Sequence, residues 1–134
     1  MEFGKIALRY LLTFGAFMVI DLIWLGLVAK GLYDKWLGHL LGNVNWTAAI
    51  IFYILFIAGI SIFVIYPASQ KQSLSYALGY GAMLGILTYA TYDLTNLATL
   101  KGWPWQIVLI DITWGAVLCS LVSVAGYYIN QWIS

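Results

Sequence analysis

The sequence predicts an all-α fold: a bundle of four transmembrane helices, with a short interfacial amphipathic helix between the first and second. Three observations carry this. Of 134 residues, 63% are hydrophobic and only 8% charged, six Lys+Arg against five Asp+Glu. A soluble domain has roughly a quarter charged residues, so there is too little charge here to cover a water-soluble globule. Four apolar segments each reach the roughly 20 residues that a helix needs to cross the hydrocarbon. Those segments run continuously, without the alternation of barrel strands. A cytosolic enzyme, a nucleic-acid binder and a disordered tail are excluded, and a net charge of +1 supplies no field for nucleic acid. The whole of 1–134 reads as one integral membrane domain in contact with the lipid bilayer.

The first helix covers about residues 5–29. Lys5 and Arg9 before an apolar run resemble a signal peptide. The run is long, contains Asp21 and ends at Lys30 without a small-x-small cleavage site, so it is read as a retained helix. In 31–45, Leu32, Tyr33, Trp36, Leu37, Leu40 and Leu41 share one helical face, opposite Asp34, Lys35, Gly38, His39 and Gly42. That pattern suits a helix lying in the membrane interface, either a plain connector or a lid over one end of the bundle. The second span, 46–66, is stopped by Pro67. The third covers 74–100. After a turn at 101–103, the fourth covers 104–130, opened by Pro104.

Four spans put both termini on one side of a cell (inner) membrane. Lys5, Arg9 and Lys71 on that side balance Lys30, Lys35 and Lys101 on the other, so the positive-inside rule is tied. A slight weight for the first helix places the termini in the cytoplasm. Ala77, Gly81 and Gly85, and likewise Gly115, Cys119 and Ser123, recur every four residues, a spacing that lets membrane helices approach closely. Trp36, Trp46, Trp103, Trp105 and Trp132 fall near helix ends, as aromatic belts do.

Three acids, Asp21, Asp93 and Asp111, lie inside these spans. Ionisable groups at such depth are costly and usually face the bundle interior. Asp21 precedes Lys30 by nine residues, Asp93 precedes Lys101 by eight, and Asp111 follows Pro104 by seven. All three therefore lie about 10–14 Å below one membrane face. Trp24 and Trp114 stand one turn from Asp21 and Asp111, Tyr89 and Asn96 flank Asp93, and Tyr53 reaches the same depth. Thr88, Thr91, Thr95 and Thr99 add a second polar stripe to helix three, which is expected to face inward.

Crowded carboxylates in a low dielectric do not all ionise together. The layer of Asp21, Asp93 and Asp111, with Asn96, Tyr89, Tyr53, Trp24 and Trp114 shaping a cavity, thus suits proton-linked transport or binding of a small or lipid-like ligand. The plain alternative is that each aspartate bonds to a neighbour and sets helix register. No aspartate spacing indicates a metal, no cofactor signature is present, and the serines lack a neighbouring base. The lone His39 reads as solvated and the lone Cys119 as a small hydrophobe. Asp21-Leu22…Lys30-Gly31 echoes Asp93-Leu94…Lys101-Gly102, as in a duplicated helical hairpin. So small a chain encloses only a small cavity, which points to a homodimer for transport. The competing classes are a membrane enzyme or enzyme subunit acting on lipids, and a structural partner of another membrane protein.

The run Thr91-Tyr92-Asp93-Leu94-Thr95-Asn96-Leu97-Ala98-Thr99-Leu100-Lys101, followed by Trp103-Pro104 and Asp111-x-x-Trp114-Gly115, resembles the signature of an uncharacterised prokaryotic integral membrane protein family, domain of unknown function 2177. Asp21-x-x-Trp24-Leu25-Gly26 resembles its N-terminal motif. The similarity extends over nearly the whole chain and implies a small multi-helix membrane protein without an assigned activity.

Overall fold

The computed structural model describes residues 3–134, which contain helices and no strand. Helix α1 (Phe3–Ile23) passes directly into a π-helical turn, Trp24–Val28, and the short α2 (Lys30–Leu37) follows. Asn45 caps α3 (Trp46–Ile60) by accepting from the Ala48 amide. A second π-helical turn, Ser61–Ile65, joins α3 to α4 (Tyr66–Lys71). Ser73 caps α5 (Leu74–Thr99) in the same way, accepting from Tyr76. A turn through Gly102, at φ 77, leads to α6 (Trp105–Ile133). Only a residue tolerating the left-handed region fits that turn without strain, and glycine does.

Three helical stretches are long and apolar enough to cross a membrane: Phe3–Val28, Trp46–Lys71 and Trp105–Ile133. The second corrects the expected stop at Pro67. The backbone widens into the π turn, and Pro67 then sits in the first turn of α4, where its missing N–H costs nothing. The sharp stop comes at Gln72, whose φ of 49 ends the helix. Helix α5 has 26 residues, length enough to span, but Asp93, Asn96 and four threonines dilute its apolar character.

Exposure is inverted relative to a soluble protein. Leu27 is 82% and Phe63 70% exposed, whereas Asp93 is fully buried. Leucine loses nothing against lipid, while a carboxyl group must find shelter inside the protein. The core joins α1, α3, the second π turn and α6 through Phe17, Ile57, Ile60, Val64, Leu118 and Val122.

The most extensive helix–helix contact is between α5 and α6. Gly81 and Gly85 of α5 are buried against Gly115, Cys119 and Ser123 of α6, and Ala77 packs with Ala68 and Tyr127. A Cβ added at Gly85 would run into the Gly115 carbonyl, and one at Gly81 would come within 2.8 Å of the Cys119 carbonyl. The expected duplication is not reflected in packing: α1 and α3 touch far less than α5 and α6. The threonine stripe also departs from expectation. Thr91, Thr95 and Thr99 are exposed, and each hydroxyl donates to the carbonyl four residues back, on Leu87, Thr91 and Thr95. Such back-bonding removes their need for an interior partner.

Gly85→Leu should therefore destabilise the α5–α6 pair by about 1–3 kcal/mol or more, because the obstacle is backbone that cannot move aside. Gly79→Ala, on the same helix with open space around it, should stay within about 0.5 kcal/mol. Thermal unfolding in detergent, followed by circular dichroism and size exclusion, distinguishes the two.

Candidate functional site

Both aspartates of the α5–α6 pair lie on its small-residue stripes. Residues 77, 81, 85, 89 and 93 form one four-spaced row on α5, and 111, 115, 119 and 123 another on α6. Four-residue spacing keeps each row on one helix face, so the approach that joins the glycines also brings Asp93 beside Asp111. Asp93 is fully buried and Asp111 is 6% exposed. Neither Asp93 oxygen has a hydrogen-bond partner, and neither does the buried Nε1 of Trp103, which sits next to it. Tyr89 completes the α5 row, its ring lying on Gly115, where an added Cβ would meet it at 2.5 Å.

Asp111 is engaged from the other side. The Tyr33 hydroxyl, carried by α2, donates to Asp111 Oδ1 and accepts from Trp24 Nε1 at 3.3 Å. Burial and that bond to Asp111 push the Tyr33 phenol up from its ordinary value, so it remains a donor throughout the neutral range. The sign follows: its contribution to stability is present below the unfolded tyrosine value and is lost only as alkaline pH passes the raised folded one.

Trp24 stacks on Trp114 with centroids 4.5 Å apart and planes 7° from parallel. Trp114 Nε1 in turn donates to Asp21 Oδ1 at 3.2 Å. The two Asp-x-x-Trp motifs thus cross over. The tryptophan of α6 bonds the aspartate of α1, and the tryptophan following α1 reaches the aspartate of α6 through Tyr33.

An open cavity of about 540 Å³ lies against this network, lined by Asp111, Tyr33, Tyr53, Tyr89, Tyr92 and Lys30 among others. Of the three aspartates only Asp111 is on its wall; Asp93 lies behind it and Asp21 is held by Trp114. The layer expected to line a single cavity is instead a chain of contacts, of which only Asp111 reaches the cavity wall. Tyr53 stands on the wall, edge-on to Phe17 with centroids 5.7 Å apart. Asn96 lies beside Tyr92 rather than in the hydrogen-bond chain. Among the described residues no three His, Cys, Asp or Glu side chains are placed to hold one metal ion.

Sequence reasoning missed Tyr33 and Trp103. Tyr33 was legible only as the one hydroxyl on the apolar face of 31–45, and Trp103 is indistinguishable in sequence from a belt tryptophan.

Removing either indole should break the stack and a hydrogen bond together. Trp24→Phe and Trp114→Phe are each expected to abolish an exciton couplet in the circular dichroism spectrum and to cost about 1–3 kcal/mol. Trp132→Phe, at an exposed position, should retain the couplet.

No curated protein and no solved structure matches the chain. The family match over residues 6–128 takes in α1 through most of α6, and with them all three aspartates and both crossed tryptophans. The chain belongs to the family described as predicted membrane protein, DUF2177, a domain of unknown function.

Proposed function

We propose that the chain binds a small or lipid-like ligand in the cavity beside Asp111 and links that binding to proton movement on the Asp93–Asp111 pair. In this reading α5 is a fourth span, completing a four-helix bundle with both termini on the cytoplasmic side of the inner membrane. Helix α2 lies in the interface as a cover, and Tyr33 is its contact with the site.

One observation carries the reading: Asp111 touches the cavity, the Tyr33 hydroxyl and Asp93 at once. Adjacent carboxyl groups relieve their repulsion by sharing a proton. A ligand that draws Tyr33 away, or takes its place on Asp111, changes what stabilises the charge on that pair. Proton occupancy and ligand occupancy are then coupled, and the coupling is reciprocal. Asp21 has the separate, structural role of anchoring α6 to α1 through Trp114, as its bond to the indole suggests. In this reading the unpartnered Trp103 N–H, which lies next to Asp93, serves as its donor when that group is charged.

In proteoliposomes with an enclosed pH-sensitive dye, the wild-type chain should dissipate an imposed pH gradient. Asp93→Asn and Asp111→Asn should slow this by at least about a hundredfold, the lower end of what one positioned proton-transfer group contributes. Asp21→Asn should lower stability and leave the rate per folded molecule unchanged. Flux that ignores both pair substitutions rejects proton coupling. A membrane lipid profile altered by deletion and restored by wild type, but not by Asp111→Asn, marks a lipid enzyme instead.

Tyr33→Phe removes the contact between cover and site while keeping the ring. Proton flux should change severalfold, with a stability loss of about 1–2 kcal/mol for the lost hydrogen bond. Equal flux in Tyr33→Phe and wild type argues against α2 as a cover.

A further inference from the structure

A second cavity, of about 580 Å³, lies toward the opposite end of the molecule, between α1, the stretch Ala58–Tyr66 and Asn130 of α6. Its walls are largely apolar, with Ile6, Ile62 and Ile65 among them, and it contains one cation, Arg9. The Arg9 Nε is buried and has no hydrogen-bond partner. An arginine nitrogen withdrawn from water and left unpaired is costly, so the Nε–H lacks an acceptor, while the rest of the half-buried guanidinium stays open to a ligand.

Among the described residues no acidic side chain lies at this end. Lys5, Arg9 and Lys71 gather at this end, while Asp21, Asp34, Asp93 and Asp111 all belong to the other half of the molecule. Among the described residues the charged side chains at this end are therefore all cationic. Arg9 lies about 9 Å along α1 from Phe3, at 1.5 Å per residue, within reach of the headgroup region by snorkelling. The groove runs along the second π turn, where the helix wall is irregular, and Ile62 is 62% exposed on it.

We propose that this groove is a binding site for an anionic phospholipid, its phosphate on the Arg9 guanidinium and an acyl chain along Ile6, Ile62 and Ile65. Guanidinium and phosphate match in charge and in bidentate geometry, and apolar walls of this size suit a hydrocarbon chain. The site is separate from the Asp111 cavity and stands or falls without it.

Native mass spectrometry of the full chain released from detergent tests it, with phosphatidylglycerol and phosphatidylcholine of the same acyl composition as probes. Phosphatidylglycerol should bind at least about tenfold more tightly, because phosphatidylcholine offers the same phosphate already balanced by its choline cation, and Arg9→Gln should remove most of that preference. Arg9→Lys should restore only part of it. Lys71→Gln, outside the groove, should leave it nearly intact. Ile62→Trp fills the groove without touching the charge and should weaken binding of both lipids, so it carries the test if Arg9→Gln does not fold. Equal binding of the two lipids overturns the proposal, as does a preference that survives both Arg9→Gln and Ile62→Trp. Inorganic phosphate competing as effectively as the lipid overturns it too, because the apolar walls would then contribute nothing.

Discussion

Everything distinctive about this protein depends on how closely two helix backbones approach. Where Gly85 faces Gly115 there is no room for a single methyl group. Helices surrounded by lipid gain little from hiding leucine, so association comes from packing contacts that only small side chains permit. The same rows of four-spaced residues that bring α5 and α6 together carry Asp93 and Asp111 at one end. Close packing and carboxyl pairing are one geometric fact: widening the interface would separate the acids, and the acids are sheltered only because it is narrow.

The aromatic bridge solves a different problem. Asp21 lies on α1, away from the α5–α6 seam, and needs its own donor. Trp114 supplies it at 3.2 Å while stacking on Trp24, which serves Asp111 through Tyr33. Two rings and three hydrogen bonds thereby tie α1, α2 and α6 into a single network. A donor such as indole or phenol suits this place, because it stabilises a carboxylate without adding a cation that would itself require shelter. At the other end the chemistry reverses. Arg9 has an apolar groove and, among the described residues, no acidic side chain near it: the four described acids lie in the half toward α2, while the basic side chains are divided between both ends.

Much of this was legible in the sequence. The charge deficit and the continuous apolar runs specify helices among lipid, and the spacing of Ala77, Gly81, Gly85, Gly115, Cys119 and Ser123 marks which faces meet. Counting along helices of known rise gives the depths expected for Asp21, Asp93 and Asp111. What misled was the assumption that polarity points inward. The threonines of α5 look out because each hydroxyl bonds to its own backbone, an option open to threonine and closed to aspartate. Pro67 did not end its helix because a π turn absorbed it, and no residue pattern announces such a turn. The network roles of Tyr33 and Trp103 depend on contacts between distant parts of the chain.

Taken alone, the sequence determined the solvent and the helices and set the expected depth of the acids, since composition, run length and rise per residue are local quantities. Which acids become partners was a tertiary decision. Asp93 pairs with Asp111 because the glycine rows allow two backbones to touch, and Asp21 is diverted to Trp114 because α1 packs against α6 rather than α5. Equal depth made the three aspartates look alike. Only the helix faces on which they stand, and what packs against those faces, separate the adjacent Asp93 and Asp111 from Asp21, which is bonded to Trp114.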